Sequence, residues 1–328
     1  MKFKTPIFWS KNSFLSRTLL PFSWVYQILF LLNLSFNKPK KVNVPVICIG
    51  NITVGGAGKT PTAIAIGKHL IDQGYRIQFL SRGYGGKYIG PHKVRKNDTA
   101  NNVGDEPILL SKIAPTWISK NRFKGAKEIE KLKPDFIIMD DGFQNNSIYK
   151  DFSILVIDNE YLFGNEKIFP SGPLREKFKN AINKTDIIVL IVKSEEEDID
   201  KRVIKNNIPL YTAIIEPVIK KQTLTNQNVV AFCGIARPEK FYHSLKKIGA
   251  IVKYKKNYPD HYQYEPNEIM TLVEKAYTMK AILITTKKDW VRLPEEAKKM
   301  VYYLDISLNF TNQDSLLDII NLYKSKNQ

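Results

Sequence analysis

Residues 53–60 read Thr-Val-Gly-Gly-Ala-Gly-Lys-Thr, after an apolar run from Val44 to Ile49 and before an amphipathic stretch from Pro61 to Ile71. A glycine-rich loop between a strand and a helix lets backbone N–H groups curl around phosphate oxygens at the positive end of the helix. In that context Lys59 can reach β/γ-phosphates and the Thr60 hydroxyl can ligate Mg²⁺, so a nucleoside triphosphate is the expected ligand. Thr53, Val54, Gly55, Gly56, Ala57, Gly58, Lys59 and Thr60 form the candidate nucleotide cradle. The strict pattern asks for Gly at position 53, where this chain has Thr, and Gly55 and Gly56 are expected to supply the turn. The plainer alternative is a flexible strand-to-helix loop.

Further strand-like runs at Arg76 to Leu80, Thr116 to Ser119, Phe136 to Met139, Ser153 to Ile157 and Asp186 to Val192 predict βα units on a mostly parallel sheet, with ligands at the carboxyl ends of the strands. The acidic stretch Glu195 to Asp200 reads as a solvated helix start, and Pro209 to Val218 as a strand-like linker. A second series follows: strands at Val229 to Cys233, Ile251 to Tyr254, Ala281 to Thr285 and Val301 to Asp305, helices over Pro238 to Lys247 and Pro266 to Met279, and one amphipathic helix after Asn309. With 328 residues the chain can hold two domains. The expected division is a basic, apolar N-terminal region over 1–41, a P-loop domain of α/β/α type over 42–215, and a smaller α/β domain over 216–328 behind a hinge.

The net charge of +18 is high and unevenly placed. No Asp or Glu precedes Asp72, whereas Lys2, Lys4, Lys11, Arg17, Lys38, Lys40 and Lys41 flank the apolar segment Leu19 to Phe36. That pattern points to an anionic membrane surface more than to a nucleic-acid groove, and no nucleic-acid recognition motif is present. A lysine-rich proteome is the plain alternative for the overall charge. The segment is marginal for spanning, since a bilayer takes ~20 apolar residues. Spanning would also leave a basic N-terminus outside while the ATP loop faced the cytosol. A monotopic helix in the cytoplasmic leaflet fits better; a buried core helix or the rim of an apolar substrate groove are the alternatives. Cys48 and Cys233 lie in apolar strand-like runs, which favours buried reduced thiols.

Phe136-Ile-Ile-Met-Asp140-Asp141-Gly142-Phe143-Gln144 is an apolar strand ending in two carboxylates, where a P-loop protein holds its Mg²⁺ shell; a strand-end turn is the alternative. Gly104-Asp105-Glu106-Pro107 opens a helix that Asp105 could merely cap. Ser81-Arg82-Gly83-Tyr84-Gly85-Gly86 is a loop able to bind an anionic or sugar group. In the rigid run Phe169 to Glu176, Arg175 can stabilise a transferring phosphoryl group and Glu176 can join the metal shell, against a surface ion pair. Of the four histidines, His69 and His243 read as structural and His92 as a loop residue without a clear partner. His261, after Asp260, can pair with a carboxylate and deprotonate a hydroxyl near neutral pH.

Thr53 to Pro61, Ser81 to Gly86, Gly104 to Pro107, Asp140 to Gln144, Gly172 to Glu176 and Asp260-His261 together resemble, in that order, the tetraacyldisaccharide 4′-kinase family of Gram-negative bacteria. The resemblance reaches from the N-terminal apolar helix to Thr285-Thr286-Lys287-Lys288-Asp289. It implies ATP-dependent, Mg²⁺-requiring transfer of the γ-phosphate to the 4′-hydroxyl of a tetraacylated disaccharide 1-phosphate on the cytoplasmic face of the inner membrane. It also implies two α/β/α domains joined by a two-stranded linker. Carried over by motif, Asp105 and His261 would activate the hydroxyl and Lys59 and Thr60 would hold phosphate and Mg²⁺. Asp140, Asp141 and Glu176 would sit near the metal, Arg175 at the transferring phosphate, and Arg82, Tyr84 and Gln144 on the substrate side. The chain departs from the family's usual pattern at Asn145, where His is usual, at Lys287, where Glu is usual, and at Ala236, where a Gly is common. A rival reading is a membrane-associated P-loop nucleotide switch, and a third, from charge alone, is a nucleic-acid-binding ATPase.

Overall fold

The structure is a computed structural model and describes residues 6–36, 38–205, 207–218, 224–312 and 315–326. Lys2 and Lys4 of the basic N-terminus lie outside the described residues. Among the described residues, twelve strands follow one another: β1 (Val46–Gly50), β2 (Ile77–Ser81), β3 (His92–Lys93), β4 (Thr116–Ile118), β5 (Phe136–Asp140), β6 (Phe152–Asp158), β7 (Ile187–Val192), β8 (Leu210–Val218), β9 (Asn228–Cys233), β10 (Ile251–Asn257), β11 (Ile282–Thr286) and β12 (Tyr302–Phe310). They form one sheet in the order β10-β9-β11-β12-β8-β7-β6-β1-β5-β2-β4-β3. Pairing is parallel except between β12 and β8 and between β3 and β4.

The parallel strands are buried on both faces, as their unbroken apolar runs require: β1, β5, β6 and β7 are buried at every residue. β1 lies between β5 and β6. The loop after β1 therefore faces the acidic end of β5 on one side and the end of β6 on the other. Two apolar cores lie on the faces of β9 and β11, one around Phe232, Ile269 and Leu293, the other around Phe241, Leu245 and Ile284. The tail helix Ser315–Lys326 returns to the first half, where Ile319 packs with Ile47, Leu70, Phe136 and Phe152.

Every strand expected from the sequence is present, with ends shifted by a residue or two except that β10 runs on to Asn257 and β12 to Phe310. Residues 195–200 are not helical; Asp200 instead caps the short helix Lys201–Ile204 by accepting from the Arg202 N–H. His92 is not without a partner: it pairs through Nε2 with Asp98 at 2.8 Å. Both cysteines are free and buried, and burial pushes the Cys233 thiol up to about 12.

The N-terminal apolar segment is the helix Leu20–Phe36. No helix among the described residues is long and apolar enough to cross a membrane. This helix is neither a buried core helix nor fully detached. Phe22, Trp24, Val25, Ile28, Leu29, Leu31 and Leu32 are exposed, whereas Ser23 is buried and bonds through its hydroxyl to the Ile168 carbonyl at 2.7 Å.

Candidate active site

The loop after β1 is fixed before it turns. The Asn51 side chain donates to the Thr53 carbonyl at 2.8 Å and to the Thr53 hydroxyl at 3.2 Å, which holds Thr53 buried where the strict pattern has Gly. Left-handed backbone falls at Gly55 (φ 111°) and at Gly58 (φ 87°), which precedes the helix Lys59–Asp72. The turn is thus made by Gly55 and Gly58, and Gly56 takes no left-handed conformation. A second loop braces the first from outside, since the Val54 N–H donates to the Pro173 carbonyl at 2.8 Å and the Arg175 N–H to the Ile52 carbonyl at 2.7 Å.

The end of β5 meets this loop. The Thr60 hydroxyl donates to Asp140 Oδ2 at 2.9 Å, and Lys59 Nζ lies 3.7 Å from Asp141 Oδ1. Arg175 Nη1 reaches Asp141 Oδ1 at 3.1 Å and Gln144 Oε1 at 3.2 Å. Gln144 also donates to the Asn51 carbonyl at 2.8 Å and to Glu176 at 3.1 Å, so its amide is a strut between three site residues. Lys184 pairs with Glu176 at 2.8 Å. Electrostatics divide the two carboxylates. Burial, then the Asp141 charge, raise Asp140 to about 6. Asp141 is held well below the usual range because Lys59, Arg175 and Arg122 together outweigh its burial.

A second cluster forms the opposite wall. Asp105 opens the helix Asp105–Ser111 and is buried. His261 Nδ1 lies 3.1 Å from Asp105 Oδ2, joining the two halves of the sequence. Oδ2 is buried without an aligned hydrogen bond, although Arg292 Nε at 3.4 Å and Lys288 Nζ at 3.8 Å also face it. Asp105 stays well below the usual range because Lys288, the Glu106 carboxyl group, His261 and Arg292 overcome its burial. Glu106 beside it is pushed up to about 7 by burial and then by the Asp105 charge. His261 sits at φ 56°, left-handed backbone that is uncommon for a residue other than glycine. The Tyr84 ring meets the imidazole edge-on at 4.9 Å.

Both clusters open on one cavity of about 2270 Å³, lined by the 54–60 loop, Arg82, Tyr84, Glu106, Asp140, Asp141, Arg175, His261 and Lys288. Trp9, Leu19, Phe169 and Pro170 add apolar surface to its wall. Residues 15–323 match the family model for tetraacyldisaccharide-1-phosphate 4′-kinase.

The chain belongs to the tetraacyldisaccharide 4′-kinase family.

It is accordingly an ATP-dependent kinase of lipid A biosynthesis. It is 42% identical over 309 residues to the tetraacyldisaccharide 4′-kinase of Paramagnetospirillum magneticum, covering 94% of each chain. It is 40% identical over 311 residues to that of Rhodospirillum rubrum, again covering 94% of each. Among solved structures it resembles the family's enzyme from Aquifex aeolicus in complex with ATP, with a TM-score of 0.74, 29% identity, and coverage of 94% of this chain and 99% of that one.

Set beside the sequence expectations, Lys59, Thr60, Asp140, Asp141, Gln144, Arg175 and Glu176 form one contiguous set, and Asp105 and His261 form another. Arg82 and Tyr84 are exposed in the wall of the cavity. Sequence reasoning missed four residues. Arg122 is buried and bonds to the Ser119 carbonyl at 2.7 Å, with its charge directed toward Asp141. Lys184 supports Glu176, and Lys288 and Arg292 surround Asp105. Only Lys288 carried a signal, as part of the Thr285 to Asp289 motif. That motif has a physical basis: Thr286 caps the helix Lys287–Trp290, and buried Asp289 accepts from the Gly234 N–H at 2.8 Å, Tyr264 at 2.6 Å and Arg292 at 2.8 Å.

Proposed function

We propose that ATP lies along the 53–60 loop and that its γ-phosphate passes to the 4′-hydroxyl of tetraacyldisaccharide 1-phosphate, presented from the side of His261. The observation that carries this assignment is that the Lys59–Asp141–Arg175 cluster and the His261–Asp105 pair face each other across one cavity. Lys59 and Arg175 neutralise charge that spreads over the transferring phosphoryl group, and the Asp105–His261 pair draws the proton from the hydroxyl. Gln144, itself held by Glu176, keeps Arg175 aimed, while Arg82 and Tyr84 meet the sugar.

The residues present fit a divalent cation. Asp140 Oδ1 is a buried carboxylate oxygen with no hydrogen-bond partner, beside a Thr60 hydroxyl already turned toward the same side chain. Thr60, Asp140, Asp141 and Glu176 would hold Mg²⁺, whose chemistry is to screen the phosphate charges. The reading includes two domains, 42–215 and 216–328, hinged at the β8–β12 pair, and a region 1–41 that rests monotopically on the cytoplasmic face of the inner membrane. Exposed apolar side chains along Leu20–Phe36, with Lys38, Lys40 and Lys41 exposed just beyond, support that placement.

The test is transfer of labelled γ-phosphate from ATP to tetraacyldisaccharide 1-phosphate in detergent micelles by wild type, Lys59→Ala and His261→Ala. Labelled lipid from wild type, lost in both variants, supports the assignment. ATP turnover that ignores the lipid and responds to a protein partner would establish the nucleotide switch instead. Binding to DNA or RNA that weakens with salt would favour a nucleic-acid ATPase.

A further inference from the structure

Both nitrogens of the His261 imidazole are engaged, and the partner of the second is a cation. Nδ1 faces Asp105 Oδ2 at 3.1 Å, while Nε2 lies 3.3 Å from the Lys288 ammonium. An ammonium has donors and no acceptor, so the contact at Nε2 is favourable only when that nitrogen carries a lone pair. The Lys288 ammonium is itself strongly held, at 2.8 Å from Glu106, 3.8 Å from Asp105 and 3.9 Å from Asp260. It thereby fills the space among Asp105, Glu106 and His261, three groups close enough together to hold a metal ion.

We propose that Lys288 is a positioning residue that fixes the tautomer of His261, keeping Nε2 as the acceptor and the ring proton on Nδ1, toward Asp105. The consequence concerns the proposed reaction and rests on that reading of the site. A ring held in this form turns its Nδ1–H toward Asp105 Oδ2, so the carboxylate keeps its orientation for the hydroxyl proton. Lys288 also carries this order across the cleft, since it belongs to the helix after β11 while Glu106 belongs to the helix opened by Asp105. The other groups around the ring act in one direction. Asp105, Glu106 at 3.8 Å and Asp260 at 3.8 Å are all carboxyl groups, Tyr84 is neutral, and Arg292 stands behind Asp105. Lys288 is thus the cation nearest the imidazole among these groups. Taking it away leaves the ring among carboxylates that favour the imidazolium.

Two measurements test this, one of which needs no lipid. The first is ¹⁵N NMR of histidine-labelled wild type near neutral pH, with the His261 signals assigned by comparison with His261→Ala. A protonated Nδ1 and a bare Nε2 are expected; a protonated Nε2 would overturn the proposal whether or not the protein phosphorylates the lipid. The second compares the pH–rate profiles of Lys288→Met and Lys288→Arg. Loss of a unit charge 3.3 Å from the ring should move the acidic limb of kcat up by about one pH unit or more in Lys288→Met. KM for ATP should change little, and Lys288→Arg should keep the wild-type limb. An unmoved limb in a folded Lys288→Met protein would refute the role. If wild type makes no lipid product while the NMR shows the expected tautomer, the kinase reading fails and the positioning role stands.

Discussion

Asp158→Asn should lower both stability and ATP affinity, because one carboxylate braces a loop that lies beside the proposed nucleotide cradle. Asp158 ends β6, its side chain is 4% exposed, and its Oδ2 takes both Arg237 Nη1 and Lys240 Nζ. Arg237 also lies 4.1 Å over the Tyr161 ring. Breaking a buried pair costs about 3–5 kcal/mol. Arg237 keeps 17% of its exposure and Lys240 keeps 39%, so solvent recovers part of the loss and the second cation contributes little. The expected destabilisation is about 2–3 kcal/mol. The link to nucleotide is Ala236, which precedes Arg237 and whose Cβ would lie 3.6 Å from a Cβ built on Gly55. Release of Arg237 frees this loop from the 53–60 turn. If 2 kcal/mol of the brace acts on the bound state, ATP binds roughly 30-fold more weakly. Urea unfolding gives the first quantity and titration calorimetry with ATP the second. Reduced stability with unchanged ATP affinity would refute the coupling and leave the brace purely structural.

Other consequences follow from individual contacts. Glu106 is raised to about 7, so the folded state holds a proton there that the unfolded chain has released above 4.5. This contribution is present below pH 4.5 and is lost as pH rises through 7, a change of up to about 3 kcal/mol; wild type should lose stability relative to Glu106→Gln over that window in urea titrations. The opposite contribution of Asp105 falls below pH 3.8, outside it. Gly104→Ala should cost about 2–4 kcal/mol, because φ is 94° and the new Cβ would meet the Tyr84 carbonyl at 2.6 Å. A shifted urea midpoint checks this. Lys184→Met leaves Glu176, 3% exposed, without its cation, so the Mg²⁺ concentration for half-maximal activity should change while the lipid KM stays near wild type.

The parts of the site that could be read in the sequence are those whose chemistry depends on local order. A strand, a glycine turn and a helix put Lys59 and Thr60 at one place, and the apolar run before Asp140 puts a carboxylate at the same edge of the sheet. Long β strands with unbroken apolar character were legible for the same reason: burial on both faces leaves a simple signature. Arg122, Lys288 and Arg292 act across long sequence separations, and only Lys184 meets a partner, Glu176, nearby in sequence. Arg292 matters because it meets Asp105 in space, and Arg122 because its charge points at Asp141; neither has a neighbour in sequence that announces it. His92 was misread because its partner, Asp98, lies across a turn whose geometry the local sequence does not specify. The Thr53 departure was legible as a departure, but its remedy required knowing that Asn51 folds back on it.

The loop 165–176 gives the proposed membrane attachment a route to the reacting centre. Its first half is bonded to the N-terminal elements. Asn165 donates to the Phe8 carbonyl at 3.0 Å, Trp9 Nε1 to the Pro170 carbonyl at 3.0 Å, and Ser23 accepts from the Ser171 N–H at 3.2 Å. Its second half supplies the brace at Pro173 and then Arg175 and Glu176. An apolar helix bearing on a bilayer therefore shares one short, hydrogen-bonded loop with the groups proposed to hold the phosphate and the cation. The substrate makes this useful, because each CH₂ withdrawn into water costs about 0.8 kcal/mol and a tetraacylated lipid cannot be lifted far from the membrane. Trp9, Phe169 and Pro170 continue the apolar face of the helix into the cavity wall. On the proposed function, the sugar would reach His261 while its acyl chains remain against apolar surface, and the loop would tie Arg175 to the helix.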